Sequence, residues 1–230
     1  MDYSALVKFV QEHFTDGLAL VIGSRLSAAE GIPGMPALAT HLSDAAGVLT
    51  GPDAVLWNQI KAVLTPNYDR LIEVACEMAG FHVDTTAVGH YAGAFDHARS
   101  CMGSCRGITT RAKTTVLDHF PRAIVLKPHG SFDWYQSGND ARRCSLDLDA
   151  ERLMITPGTN KYRAGYNSPF DKHRDLANDY IKRAGRLLVV GYGFNDDHLQ
   201  THLVKRIQDG TPTLILNRSA SSKVEKLAKE

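Results

Sequence analysis

Cysteine is scarce in this chain: Cys76, Cys101, Cys105 and Cys144 are the four thiols in 230 residues. A structural zinc site takes four ligands, usually from two close pairs. Cys101 and Cys105 form one such pair, with His90, His97 and His119 as the nearest imidazoles, and no second pair follows. Reduced, unliganded thiols are therefore expected, and no metal. Long apolar runs are absent too. Leu18 to Ile22 and Leu187 to Val190 are far too short to span a bilayer. Neither sign of charge dominates: 26 basic and 25 acidic residues leave a net +1, without a long basic run. That balance argues against direct nucleic-acid binding. Met1-Asp2-Tyr3-Ser4 opens neither a basic nor an apolar leader segment, so the expected compartment is the cytoplasm.

What is present is enough for one sizeable domain. An apolar fraction of 43% can fill a core and 22% charge is ordinary for a soluble protein. Leu6, Val7, Val10 and Phe14 recur at helical spacing. Continuous apolar runs at 18–22, 63–64, 123–127, 187–190 and 213–216 have the look of strands buried on both faces, with a further strand at 81–83. Helices are expected at 36–47, 53–61, 69–80, 171–184, 196–208 and from Ser221 onward, where the chain breaks off in mid-helix and is expected to continue past Glu230. Strands alternating with helices predict an α/β fold, a Rossmann-like doubly wound and mainly parallel sheet, as one domain over 1–230. A lid or insertion of irregular chain is expected at about 85–120, and a second irregular segment at about 135–170.

Polar residues gather where those strands end. Gly23-Ser24-Arg25 follows the first strand, Thr65-Pro66-Asn67-Tyr68-Asp69 the second, Lys127-Pro128-His129-Gly130-Ser131 the third and Gly191-Tyr192-Gly193-Phe194-Asn195-Asp196 the fourth. Open α/β sheets bind ligands at the carboxyl ends of their strands. Gly23 permits a sharp turn and close approach to a phosphate. Arg25 is either a cation beside a pyrophosphate or a solvated arginine. Asn67 can hold a ribose hydroxyl or a water, or it can cap the helix after it. Asp69 can cap the same helix or accept from a carboxamide. A histidine side chain can exchange protons near neutral pH, so His129 can take a proton from a ribose hydroxyl or a water, or it can bridge loop backbone. Gly191 and Gly193 let backbone pack near a ribose or phosphate. Asn195, Asp196 and Asp197 can bind hydroxyls or cap a helix, and Asn217 can touch an adenosine ribose or close a turn.

In this order the segments resemble the sirtuin-like NAD-consuming superfamily over about residues 18–218. Gly23-Ser24 with Gly31-Ile32-Pro33 is similar to its first glycine loop and Gly-Ile-Pro, with Arg25 standing in place of a glycine. Thr65 to Asp69 is similar to its Thr-x-Asn-x-Asp motif and Pro128-His129-Gly130 to its His-Gly motif. Gly191 to Asp196 is close to the form in bacterial antiphage-defence members. The resemblance implies Asn67 and His129 as catalytic residues, with Asn67 orienting a water or the nicotinamide ribose and Asp69 holding the nicotinamide amide. It implies further cofactor contacts from Gly23, Ser24, Arg25, Ile32, Pro33, Thr65, Gly191, Gly193, Phe194, Asn195 and Asn217.

Deacylating sirtuins carry a four-cysteine zinc module between the His-Gly motif and the next glycine motif, and only Cys144 lies in that interval here. Defence-type members lack the module and hydrolyse NAD to nicotinamide and ADP-ribose. The resemblance therefore implies an NAD hydrolase with NAD as substrate, the effector of an abortive-infection system. The alternatives are a deacylase or ADP-ribosyltransferase, and a non-catalytic module that senses NAD or ADP-ribose. By the same resemblance a homo-oligomer is expected, with a HerA-type ATPase, a short Argonaute or a cyclic-nucleotide-sensing domain as regulatory partner. Arg218 is the only base beside Asn217, so NAD is expected to be preferred over its 2′-phosphorylated form.

Overall fold

Strand β1 (Leu18–Ile22) is apolar and buried at every position, which only a strand covered on both faces can be. In the computed structural model, which describes residues 3–14, 17–23, 60–78, 80–111, 114–155, 167–194, 196–217 and 221–228, it lies inside a six-stranded sheet. Beside it run β2 (Ile60–Leu64) and β12 (Arg186–Val190), both parallel to it. The sheet continues through β8 (Arg122–Leu126) to the edge strand β3 (His82–Asp84) on one side, and ends in β13 (Thr213–Leu216) on the other. All five pairings are parallel.

Alternate residues of β1 supply two cores. Ala19 and Val21 face a cluster shared with helices α4 (Phe170–Arg183), α5 (Asp197–Gln208) and α6 (Ser222–Leu227), through Ala177, Ile181, Leu199, Leu203 and Val224. Leu18, Leu20 and Ile22 face the other, where Phe14 after helix α1 (Tyr3–His13) and Ile72 of helix α2 (Leu71–Met78) pack. The sheet is thus wound on both faces, as the sequence predicts.

The expected helices at 36–47 and most of 53–61 lie outside the described residues. Ile60 and Lys61 are strand, and Ile60 pairs with Leu18 rather than closing a helix. The segments expected to be irregular are largely strands. Strands β9 (Gly130–Ser137), β10 (Asp140–Cys144) and β11 (Arg152–Met154) join β4 (Ala87–Val88) and β5 (Ala92–Phe95) in a second, antiparallel sheet, in the order β11-β9-β10-β5-β4. Helix α3 (His97–Gly103), capped by Asp96, leads to a separate hairpin of β6 (Cys105–Arg111) and β7 (Thr114–His119). The second sheet has its own small core of Trp134, Ile155 and Phe170.

Candidate active site

The order of strands in the main sheet switches sides at β1: the chain proceeds from β1 to β2 on one side and later returns to β12 on the other. A crevice opens at such a switch point, beyond the strand carboxyl ends. Gly23 closes β1 there and Gly191 closes β12, and the two loops touch. A Cβ on Gly23 would run into the Gly191 carbonyl and the Tyr192 Cα. Gly191 itself has φ +64°, a conformation that glycine adopts without strain.

Asn67 is buried after β2, and its side-chain amide donates to the Gly23 carbonyl at 3.3 Å. Its backbone N–H donates to the Thr65 hydroxyl at 3.1 Å. Asn67 therefore ties the β2 loop to the β1 loop and does not cap α2. That cap is Asp69, whose Oδ1 accepts from the Leu71 N–H at 3.1 Å. Thr65 is buried, and its N–H donates to the Leu126 carbonyl, so its contribution is to shape the loop.

His129, after β8, meets Asp196 at the start of α5, with Nε2 and a carboxylate oxygen 2.6 Å apart. Both side chains are about nine-tenths buried, at 11% and 8% exposure. A buried carboxylate beside an imidazole stabilises the imidazolium that forms when the ring takes a proton. Two elements far apart in sequence thus bring an imidazole and a carboxylate together. Tyr68 stands close by. Burial pushes its phenol above the usual range, with the Asp196 charge adding to the effect, and its hydroxyl donates to the Ile155 carbonyl at 2.5 Å. The His129 carbonyl accepts from the Ile155 N–H at 2.8 Å.

The β12 loop continues with Phe194, whose ring is buried against Tyr192 at a centroid separation of 5.0 Å. Phe194 has φ +54°, and its carbonyl accepts from the Lys223 ammonium at 3.0 Å. Its side chain belongs to the core, so the residue is placed to meet a ligand through backbone rather than through the ring. Asn217, after β13, donates to the Tyr192 carbonyl at 3.1 Å and so ties the β13 end to the β12 loop. Gly193 lies in the same loop. Ser24, Arg25, Ile32, Pro33 and Asn195 lie outside the described residues.

Sequence reasoning missed one pair beneath this cleft. Lys127 and Glu73 form an ion pair at 2.7 Å with side chains 2% and 4% exposed. Burial pushes the Glu73 carboxyl up, and the Lys127 charge opposes that shift. The cysteines are free, and among the described residues no three His, Cys, Asp or Glu side chains gather as metal ligands would.

A parallel, doubly wound sheet whose loops gather polar groups at its switch point, a histidine–carboxylate pair among them, defines a Rossmann-like α/β protein. More particularly, the family model of the SIR2-like domain matches residues 61–229, and the chain belongs to that family. No curated protein matches. Among solved structures it is similar to a Sir2 bound to an acetylated peptide, over 100% of this chain and 97% of that one, at 13% identity and a TM-score of 0.48. It is also similar to a Sir2 with a p53 peptide and NAD+, over 100% and 97%, at 12% identity and a TM-score of 0.47.

Proposed function

We propose that this protein cleaves NAD to nicotinamide and ADP-ribose, with water as acceptor. The observation that carries the reading is the 2.6 Å contact of His129 with Asp196, on the rim of the crevice that Gly23, Asn67 and Gly191 outline. Cleaving the N-glycosidic bond develops positive, oxocarbenium-like charge on the ribose. Such a step gains most from a positioned water and a shaped, partly dry pocket. In this scheme Asn67 orients the water or the ribose, while His129 takes a proton from a ribose hydroxyl or from that water and Asp196 balances the imidazolium. Asp69, whose Oδ1 accepts from the Leu71 N–H, holds the nicotinamide amide. The Gly191–Phe194 backbone lies along the adenosine half. We further propose that the activity serves an antiphage, abortive-infection role in the cytoplasm, that the working form is a homo-oligomer, and that a defence partner such as a HerA-type ATPase or a short Argonaute controls it.

Incubation of the purified protein with NAD, followed by chromatography, is expected to show nicotinamide and ADP-ribose in equal amounts without any peptide. Release only on adding an acyl-lysine peptide would make it a deacylase. No release under either condition would leave a nucleotide-binding module and refute the hydrolase.

A further inference from the structure

We propose that Lys127 is a positioning residue for this cleavage, its buried ammonium holding the Asn67–Asp69 loop in register with His129. The inference rests on the hydrolase reading, but the clamp is a matter of geometry. An ammonium has three N–H donors, and three acceptors surround this one. They are Glu73 Oε1 at 2.7 Å, Ser131 Oγ at 3.2 Å and the Asp69 backbone carbonyl. The Ser131 hydroxyl donates in turn to the Tyr68 carbonyl at 3.1 Å. The carbonyls of two successive residues directly after Asn67 are therefore fastened to Lys127 and Ser131, the two ends of a five-residue segment with His129 at its centre. The Phe132 N–H adds a third link to the Tyr68 carbonyl at 3.0 Å. On the far side, the Lys127 N–H donates to His173 Nδ1 at 3.1 Å, which anchors the segment to α4.

Stability alone does not account for such a pair. Taking an ammonium and a carboxylate out of water is costly, and well-packed apolar residues often replace a buried pair without loss. No apolar residue offers three donors aimed at a second loop. The function of the charge is thus placement. Glu73 is the counter-ion that lets the ammonium stay charged where it is 2% exposed.

The test pairs Lys127→Met with Glu73→Leu, so that neither charge is left buried alone. The double variant is expected to melt near the parent temperature. Its kcat for nicotinamide release should fall by a factor on the order of 10², the typical cost of a misplacement of about 1 Å, while KM for NAD changes far less. Amide hydrogen exchange should quicken at residues 67–71 and 129–132 and stay unchanged in β1 and β12. A folded double variant with parental kcat and parental exchange overturns the proposal. Should that variant fail to fold, Ser131→Ala decides: it removes the link to Tyr68 and one acceptor of the ammonium while both charges stay in place, and parental kcat with parental exchange there overturns the clamp equally. A parent protein that releases no nicotinamide would refute the hydrolase instead, and the exchange pattern alone would then uphold or overturn the clamp.

Discussion

Whether His129 works on substrate or merely braces a loop is decided at Asp196 and Asn67. His129→Ala and Asn67→Ala are each expected to abolish NAD cleavage while leaving the fold intact, since Asn67 gives up one hydrogen bond to Gly23, worth about 1 kcal/mol. Turnover within a few-fold of the parent in either variant would remove that residue from the mechanism. Asp196→Asn keeps the shape and removes the counter-charge 2.6 Å from Nε2. Its kcat is expected to fall by a factor on the order of 10², the lower end of what a positioned base contributes. An unchanged kcat would show that the carboxylate serves only the start of α5. Asn217 donates to the Tyr192 carbonyl and so braces the β12 loop, whose nearby cation, Lys223, is taken up by the Phe194 carbonyl. Parallel assays on NAD and its 2′-phosphorylated form are expected to favour NAD, and equal rates would show a phosphate contact at that corner.

Among the elements, the turn after β8 depends on Gly130. Its φ is +89°, and a Cβ there would collide with the Leu153 carbonyl and lie 2.9 Å from Phe170 Cε1. Gly80 has a similar φ of +80° with open space around it. Gly80→Ala is therefore expected to cost about 1 kcal/mol for the backbone conformation alone. Gly130→Ala should cost about 3 kcal/mol, because overpacking adds to it. Urea denaturation of the two variants reads the difference, and equal costs would show that β11 and α4 yield freely. Legibility in the sequence follows the same physics. Strand β1 and the Leu187–Val189 part of β12 are continuous apolar runs, because burial on both faces leaves no alternative, and their loops carried the candidate residues with them. Strands β9 and β10 hide their period because polar residues in them are neutralised by partners, as Arg143 is by Asp133 at 2.8 Å. Nothing local marks Lys127 either. Its partner Glu73 sits on α2, and only the pairing of β2 with β8 brings the two together.

For the molecule as a whole, acid is the condition that finds its weak point. His173 is buried; its Nδ1 accepts from the Lys127 N–H, so Nε2 carries the hydrogen and faces the Thr86 hydroxyl at 3.0 Å. Burial first, then the Lys127 and His97 charges, push its pKa from 6.5 down to about 3. A histidine that is harder to protonate when folded leaves stability whole above pH 6.5 and withdraws it as the pH falls from there towards 3. The slope is about 1.4 kcal/mol per pH unit. Unfolding midpoints measured at pH 7 and pH 5 should differ accordingly, and His173→Gln should flatten that difference; an undiminished difference would place the acid sensitivity elsewhere. Among the described residues no helix is long and apolar enough to cross a membrane. Helix α4 enters both cores: Phe170 and His173 lie with Trp134 of the second sheet, whereas Ala177 and Ile181 lie under the first. It is a single axle through two wheels. The sheets cannot turn against each other without drawing Phe170 from its seat.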